Sequence, residues 1–258
     1  MNSSSQFSLF TSGVDVSGAG QPFAIDWAQV RAANKRFAYV KANTAEGAPD
    51  PWFRRHAAGA MSAGLLVGAY HFALIDDDPK DDVAAFLRAI EGVPLDLPPA
   101  LDIETRNSAD ALRVLMFVDG GLAELEARTG KRAIIYTGPG FWRGLGKAAD
   151  DPRYAARALW VAQYGVSGPS PLPPWGHQWS IWQSHGNTIW RMPDGSQVWG
   201  PTRPHPQAAL LAAGGKCPGI AGEVDLDLFA GSYDDMRRWA GLNVAQLPNL
   251  ADDPRVKT

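Results

Sequence analysis

Two acids, Asp102 and Glu104, sit in the short apolar run Leu101-Asp102-Ile103-Glu104, which follows Pro98 and Pro99. In an extended strand the side chains alternate, so both acids project to one side, with Cα atoms about 6–7 Å apart at a rise of ~3.3 Å per residue. Two carboxylates on one face of an otherwise apolar strand repel each other and resist desolvation. At least one pKa rises, and one group can then hold a proton near neutral pH. An acid that protonates a leaving oxygen, beside a carboxylate that supports a cationic sugar, is the equipment of glycoside hydrolysis. A strand end with merely solvated acids has the same sequence, and this stretch alone leaves both readings open.

The elements that must position the pair follow from the hydrophobic pattern. Short strands are expected over 12–17, 36–42, 65–72, 100–104, 131–137, 158–164, 178–183 and 220–229. The 65–72 run is apolar throughout, as for a strand buried on both faces. Helical periodicity separates the early strands. One helix opens at Asp26, a second at Asp50-Pro51, a third behind the acid-rich stretch 76–82, and a long one spans 108–128. Strand and helix alternate for five repeats, then strands follow with few helices. This order implies a mostly parallel sheet, and about eight strands in one domain of this length imply a barrel. The expected fold class is therefore α/β, an irregular TIM-like (β/α) barrel with about eight strands and fewer helices. Active residues in such barrels sit at the C-terminal ends of strands. Polar residues recur at those ends: Asp15, Tyr70, Asp102, Glu104, Tyr136, Gln163, Tyr164, Gln183 and Asp225. Their recurrence makes mere solvation a poorer account of each acid.

Composition narrows the partners. Among the 258 residues are ten tryptophans, several beside Gly, Pro or polar residues, and these suit stacking on sugar rings, although core packing is the usual use of Trp. The net charge is −3 with no basic block, which argues against nucleic acid or an anionic membrane as partner. The single cysteine, Cys217, excludes an intramolecular disulfide, and without a Cys/His cluster at ligand spacing neither a metal nor a cofactor is expected. No stretch is apolar enough to span a bilayer, and no ordinary secretory signal is visible, so action outside the cytoplasm would need another export route or a signal already removed from this chain. The expected organisation is a disordered segment over 1–12, a barrel over 13–241 with an insertion at about 185–217, and a tail over 242–258, acting as a monomer.

Taken together, the stretches Gly13-Val-Asp-Val-Ser17, Ile25-Asp-Trp27, Gly64-Leu-Leu-Val-Gly-Ala-Tyr-His-Phe72, Leu101-Asp-Ile-Glu104, Ile135-Tyr-Thr137, Leu159-Trp-Val-Ala-Gln-Tyr164, Ile181-Trp-Gln183 and Val224-Asp225 resemble the lysozymes of glycoside hydrolase family 25. They occur in the family's order. The resemblance implies hydrolysis of the β-1,4 bond between N-acetylmuramic acid and N-acetylglucosamine in the peptidoglycan of the bacterial cell wall, without a metal. It places the general acid on Glu104 and, on Asp102, the carboxylate that supports the substrate's N-acetyl group or the cationic centre. Asp15 and Asp225 match the other acidic positions of the groove. Tyr70, Tyr136, Tyr164, Trp182 and Gln183 match its lining, with Gln163 beside them as a further substrate-binding residue. The i, i+2 spacing falls near the boundary between retaining and inverting geometries. Net retention is the expectation, with the substrate's own N-acetyl oxygen attacking. The loop 42–47 is longer than the family's usual run, which leaves the role of Glu46 open. A catalytically silent glycan-binding or structural barrel is the alternative, and the presence of all four acids argues against it.

Overall fold

A computed structural model describes residues 10–44, 47–106, 108–191, 197–201 and 215–242. The expectations for residues 1–9, Glu46 and 243–258 lie outside it. The core is a closed barrel of the strands β1 (Thr11–Val16), β2 (Phe37–Lys41), β3 (Leu66–Phe72), β4 (Ala100–Asp102), β5 (Ile134–Thr137), β6 (Leu159–Ala162), β7 (Ile181–His185) and β10 (Asp225–Phe229), in the order β1-β10-β7-β6-β5-β4-β3-β2. Of the expected insertion, β8 (Asn187–Arg191) and β9 (Gln197–Pro201) form a separate antiparallel hairpin, while 192–196 and 202–214 lie outside the described residues. The described helices are α1 (Trp27–Ala32), α2 (Phe53–Ser62), α3 (Pro79–Ile90), α4 (Ala111–Thr129), α5 (Pro139–Arg143), α6 (Pro152–Ala155) and α7 (Tyr233–Trp239). None is long and apolar enough to cross a membrane.

The two-residue period of the strands sorts their side chains into two cores. Val14, Val40, Val67, Leu101, Ile135, Val161 and Leu228 face outward and pack with the helices. Phe37, Tyr39, Leu66, Ala100, Ile134, Trp160, Ile181 and Phe229 fill the barrel itself. Two inward glycines make room for aromatic rings. A Cβ on Gly13 would come within 2.5 Å of the Phe37 ring, and one on Gly68 within 2.4 Å of the Tyr39 ring.

Caps fix where the helices begin. Asp26 accepts from Gln29 N at 3.0 Å, and Asp110 accepts from Arg113 N at 2.8 Å. Ser232 and Asp235 form a reciprocal capping box on α7. Two acids expected at helix starts serve differently. Asp50 lies ahead of α2, where it accepts from Trp52 N and from Gly18 N, both at 2.8 Å, tying the loop after β1 to the entry of the helix. Asp82 sits in the first turn of α3 but is buried against His71, with Oδ2 2.6 Å from Nε2.

The barrel is not parallel throughout, because β10 runs antiparallel to both β1 and β7. Parallel pairing requires a crossover that returns the chain to the starting end. Among the described residues between β7 and β10 no such helix occurs. Asp225 therefore opens its strand rather than ending it, yet lies level with Asp15, its partner in the register.

Candidate active site

The inward phase leaves a polar ring where β1 to β7 end and β10 begins. Asp15, Lys41, Tyr70, Asp102, Glu104, Tyr136, Trp160, Gln183 and Asp225 line a cavity of about 90 Å³. A larger concavity of about 400 Å³ opens at the other end of the barrel, around Pro98, Lys131 and Trp239. It has no carboxylate in its lining, so convergence of carboxylates marks the candidate site better than size does.

β4 stops at Asp102, but Ile103 N still donates to Tyr136 O at 2.9 Å. The chain stays extended long enough to bring Glu104 into the same cavity. Asp102 is buried and Glu104 stands at the rim with an exposed side chain. The protein packed below Glu104 still desolvates it. Burial raises its pKa, and the Lys41 ammonium works against that rise. Asp102 is pushed well above the usual carboxylate range, first by burial and then by the charge of Glu104, again against Lys41. The two acids titrate as a pair. Asp102 Oδ1 is buried with no hydrogen-bond partner.

A second network forms the floor. Gln183 Nε2 donates to Asp15 Oδ2 at 2.6 Å. Gln183 Oε1 accepts from Tyr136 OH at 2.8 Å and also from Tyr164 OH. One amide on β7 thus fixes an acid and two phenols contributed by three other strands or strand ends. Burial, followed by the charge of Asp227, holds Asp15 well above the usual carboxylate range. Tyr70, Tyr136 and Tyr164 are held well above the usual phenol value, chiefly by burial, and so are neutral hydrogen-bonding groups at any ordinary pH.

Of the residues expected in the groove, Tyr164 joins only the floor network, and two lie outside both cavity and floor. Trp182 occupies the outward phase of β7, packs in the core between barrel and helices, and donates to Gln163 O at 2.7 Å. Gln163 turns its side chain to the following loop, where Oε1 accepts from Ser170 N at 2.7 Å. Three cavity or floor residues escaped the sequence reading. Lys41 and Trp160 fall in the inward phase of β2 and β6, and Asp227 stands two residues past Asp225 on the same face. The alternation that pairs Asp102 with Glu104 would have found all three.

The sequence profile of the glycosyl hydrolases family 25 matches residues 14–190, more than half of the chain and most of the barrel. The chain belongs to glycosyl hydrolase family 25. It is thus a glycosidase of the lysozyme family. Lysozyme M1 of Streptomyces globisporus is 28% identical over 224 residues, a match that covers 81% of this chain and 65% of that relative. The bacterial lysozyme of Streptomyces coelicolor superposes with a TM-score of 0.70 at 25% identity, covering 89% of this chain and 96% of the other. A family 25 glycosyl hydrolase of Bacillus anthracis shares the fold with a TM-score of 0.66 at 22% identity, over 89% of this chain and 93% of the other.

Proposed function

We propose that this family 25 glycosidase is a muramidase, which cleaves the β-1,4 bond from N-acetylmuramic acid to N-acetylglucosamine in cell-wall peptidoglycan with net retention. Glu104 is the general acid. Asp102 orients the substrate's N-acetyl group, whose oxygen attacks the anomeric carbon. Asp15 and Asp225 complete the acidic groove, and Tyr70, Tyr136, Tyr164 and Gln183 line it.

The observation that carries this reading is the buried, unpartnered Oδ1 of Asp102 one inward position below Glu104. In the free pocket, burial favours keeping a proton on Asp102. An N-acetyl N–H placed there donates to Asp102, stabilises its anion and leaves the shared proton to Glu104. Binding of the sugar thus puts the pair in its productive protonation state, and the same hydrogen bond makes the acetyl oxygen a better nucleophile. A direct attack by Asp102 needs no N-acetyl group at all, so the two routes separate by substrate.

Turbidity clearing of purified walls tests the proposal. Glu104→Gln keeps the shape and removes the titrating proton, and lysis should fall by about 10²–10⁴-fold. A folded Glu104→Gln protein that clears walls at the parental rate removes Glu104 from the role. NMR of the first-formed anomer tests the stereochemistry, and an initial α product from the β-linked chain contradicts retention.

A further inference from the structure

Below the cavity floor, Asp227 is almost completely buried, at 1% exposure. Its Oδ1 accepts from Trp160 Nε1 at 2.9 Å, and its Oδ2 is buried with no donor in reach. Opposite it on β1 is Gly13, which has no side chain, and the diagonal neighbour that meets it on the same face is another carboxyl, Asp15, whose Oδ2 already accepts from Gln183. Two anions cannot hydrogen-bond to each other, so only a proton between them satisfies both oxygens.

We propose that Asp227 is a positioning residue: it holds a proton on Asp15, so that the floor beneath Asp102 and Glu104 presents a neutral carboxyl rather than an anion. The other groups around Asp227 agree with this. Asp225 on its own strand and Tyr39 from β2 offer no positive charge. Among the described residues Lys35 is the one cation acting on it, and its ammonium donates to Ser12 Oγ at 2.8 Å. Burial first, with Asp225 adding, raises Asp227 to about 7, while the Asp15 and Trp160 hydrogen bonds and Lys35 oppose the rise. A charged Asp15 would add repulsion to Asp102, on which it already acts. The neutral form thus lets the Asp102–Glu104 pair carry the working charge of the site.

Asp227→Asn is the test. The amide accepts from Trp160 with its oxygen and donates to Asp15 with its nitrogen, which stabilises the Asp15 anion. The acid limb of the wall-lysis pH profile should then move up by roughly half a unit or more, because Asp102 loses its proton against an added neighbouring charge. This arm rests on the muramidase reading, and a second does not. An acid with a raised folded pKa contributes stability below its unfolded value of ~3.9, and loses it as pH rises through the folded value. The variant lacks the loss that ends at about 7 for Asp227. Its Tm relative to the parent should climb as pH rises from 4 to 7. Parallel Tm curves and an unmoved acid limb would show a packing role only and overturn the proposal. Carboxyl-carbon NMR of the unaltered protein decides the matter should the variant not fold. Asp15, assigned by comparison with Asp15→Asn, should remain protonated at pH 6, and titration near pH 4 overturns the proposal.

Discussion

Among the described residues, Lys41 is the one that opposes the raised pKa of both members of the central pair. Its ammonium lies 4.2 Å from the Phe72 ring centroid and 5.9 Å from that of Tyr70, which fixes the charge over the cavity wall. Lys41→Met should raise both carboxyl pKa values. Under the proposed roles the acid limb requires ionised Asp102 and the alkaline limb requires protonated Glu104. The whole profile should therefore slide to higher pH, and a profile that slides down or narrows from one side contradicts the assignment. Asp102 and Glu104 were legible because their spacing matches the strand period and their neighbours are apolar. Lys41 was less so, because a lysine at a strand end reads as solvated, and only the inward phase set by Phe37 and Tyr39 reveals where it points.

At the scale of elements, β3 and α3 are joined by a buried polar link. His71 places Nδ1 2.9 Å from Asn43 Oδ1 and Nε2 2.6 Å from Asp82 Oδ2, and Asn43 Oδ1 also accepts from Phe72 N at 3.1 Å. The link holds the loop after β2, the end of β3 and the first turn of α3 in one arrangement, next to Tyr70 in the site. Asp82→Ala leaves His71 buried without that partner and should lower stability by about 1–3 kcal/mol. Urea unfolding measures this, and a loss within error would mean that the link closes in another way. Sequence alone placed Asp82 with its four acidic neighbours in the polar stretch that leads into α3. Nothing in the pattern separated the one acid that turns inward from those that stay in water. The reversal at Trp182 has a similar origin. The run Ile181-Trp182-Gln183 shows that a strand is present, but a tryptophan suits a sugar-binding groove and a hydrophobic core equally well, and only the phase set by Gln183 places it in the core.

For the whole molecule, the barrel concentrates raised acids at one end: Asp15, Asp102, Glu104 and Asp227 all bind protons more tightly than in the unfolded chain. Each contributes stability that is present below pH ~4 and is lost as pH rises through its folded value. The site is thus a standing strain on the fold at neutral pH. Asp102→Asn should be more stable than the parent at pH 7, with the advantage vanishing toward pH 4. Thermal unfolding across that range checks it, and an advantage independent of pH would point to packing instead. The barrel itself was legible because eight short apolar runs recur with helical spacers between the early ones. The antiparallel return of β10 was not, since strand direction depends on which end of the barrel the 186–224 connection occupies, and local pattern carries no record of that.

That closing strand has a consequence for the protein while it is being made. Asp15 comes from the first barrel strand and Asp225 from the last, and the two lie side by side only through the β1–β10 ladder. A chain emerging from the ribosome has the central acids early, but it has neither the seam nor Asp225 until β10 clears the exit tunnel. Until then β1 and β7 are open edges. The acidic ring is therefore completed only at the end of synthesis, when β10 pairs with β1 and β7 and brings Asp225 beside Asp15.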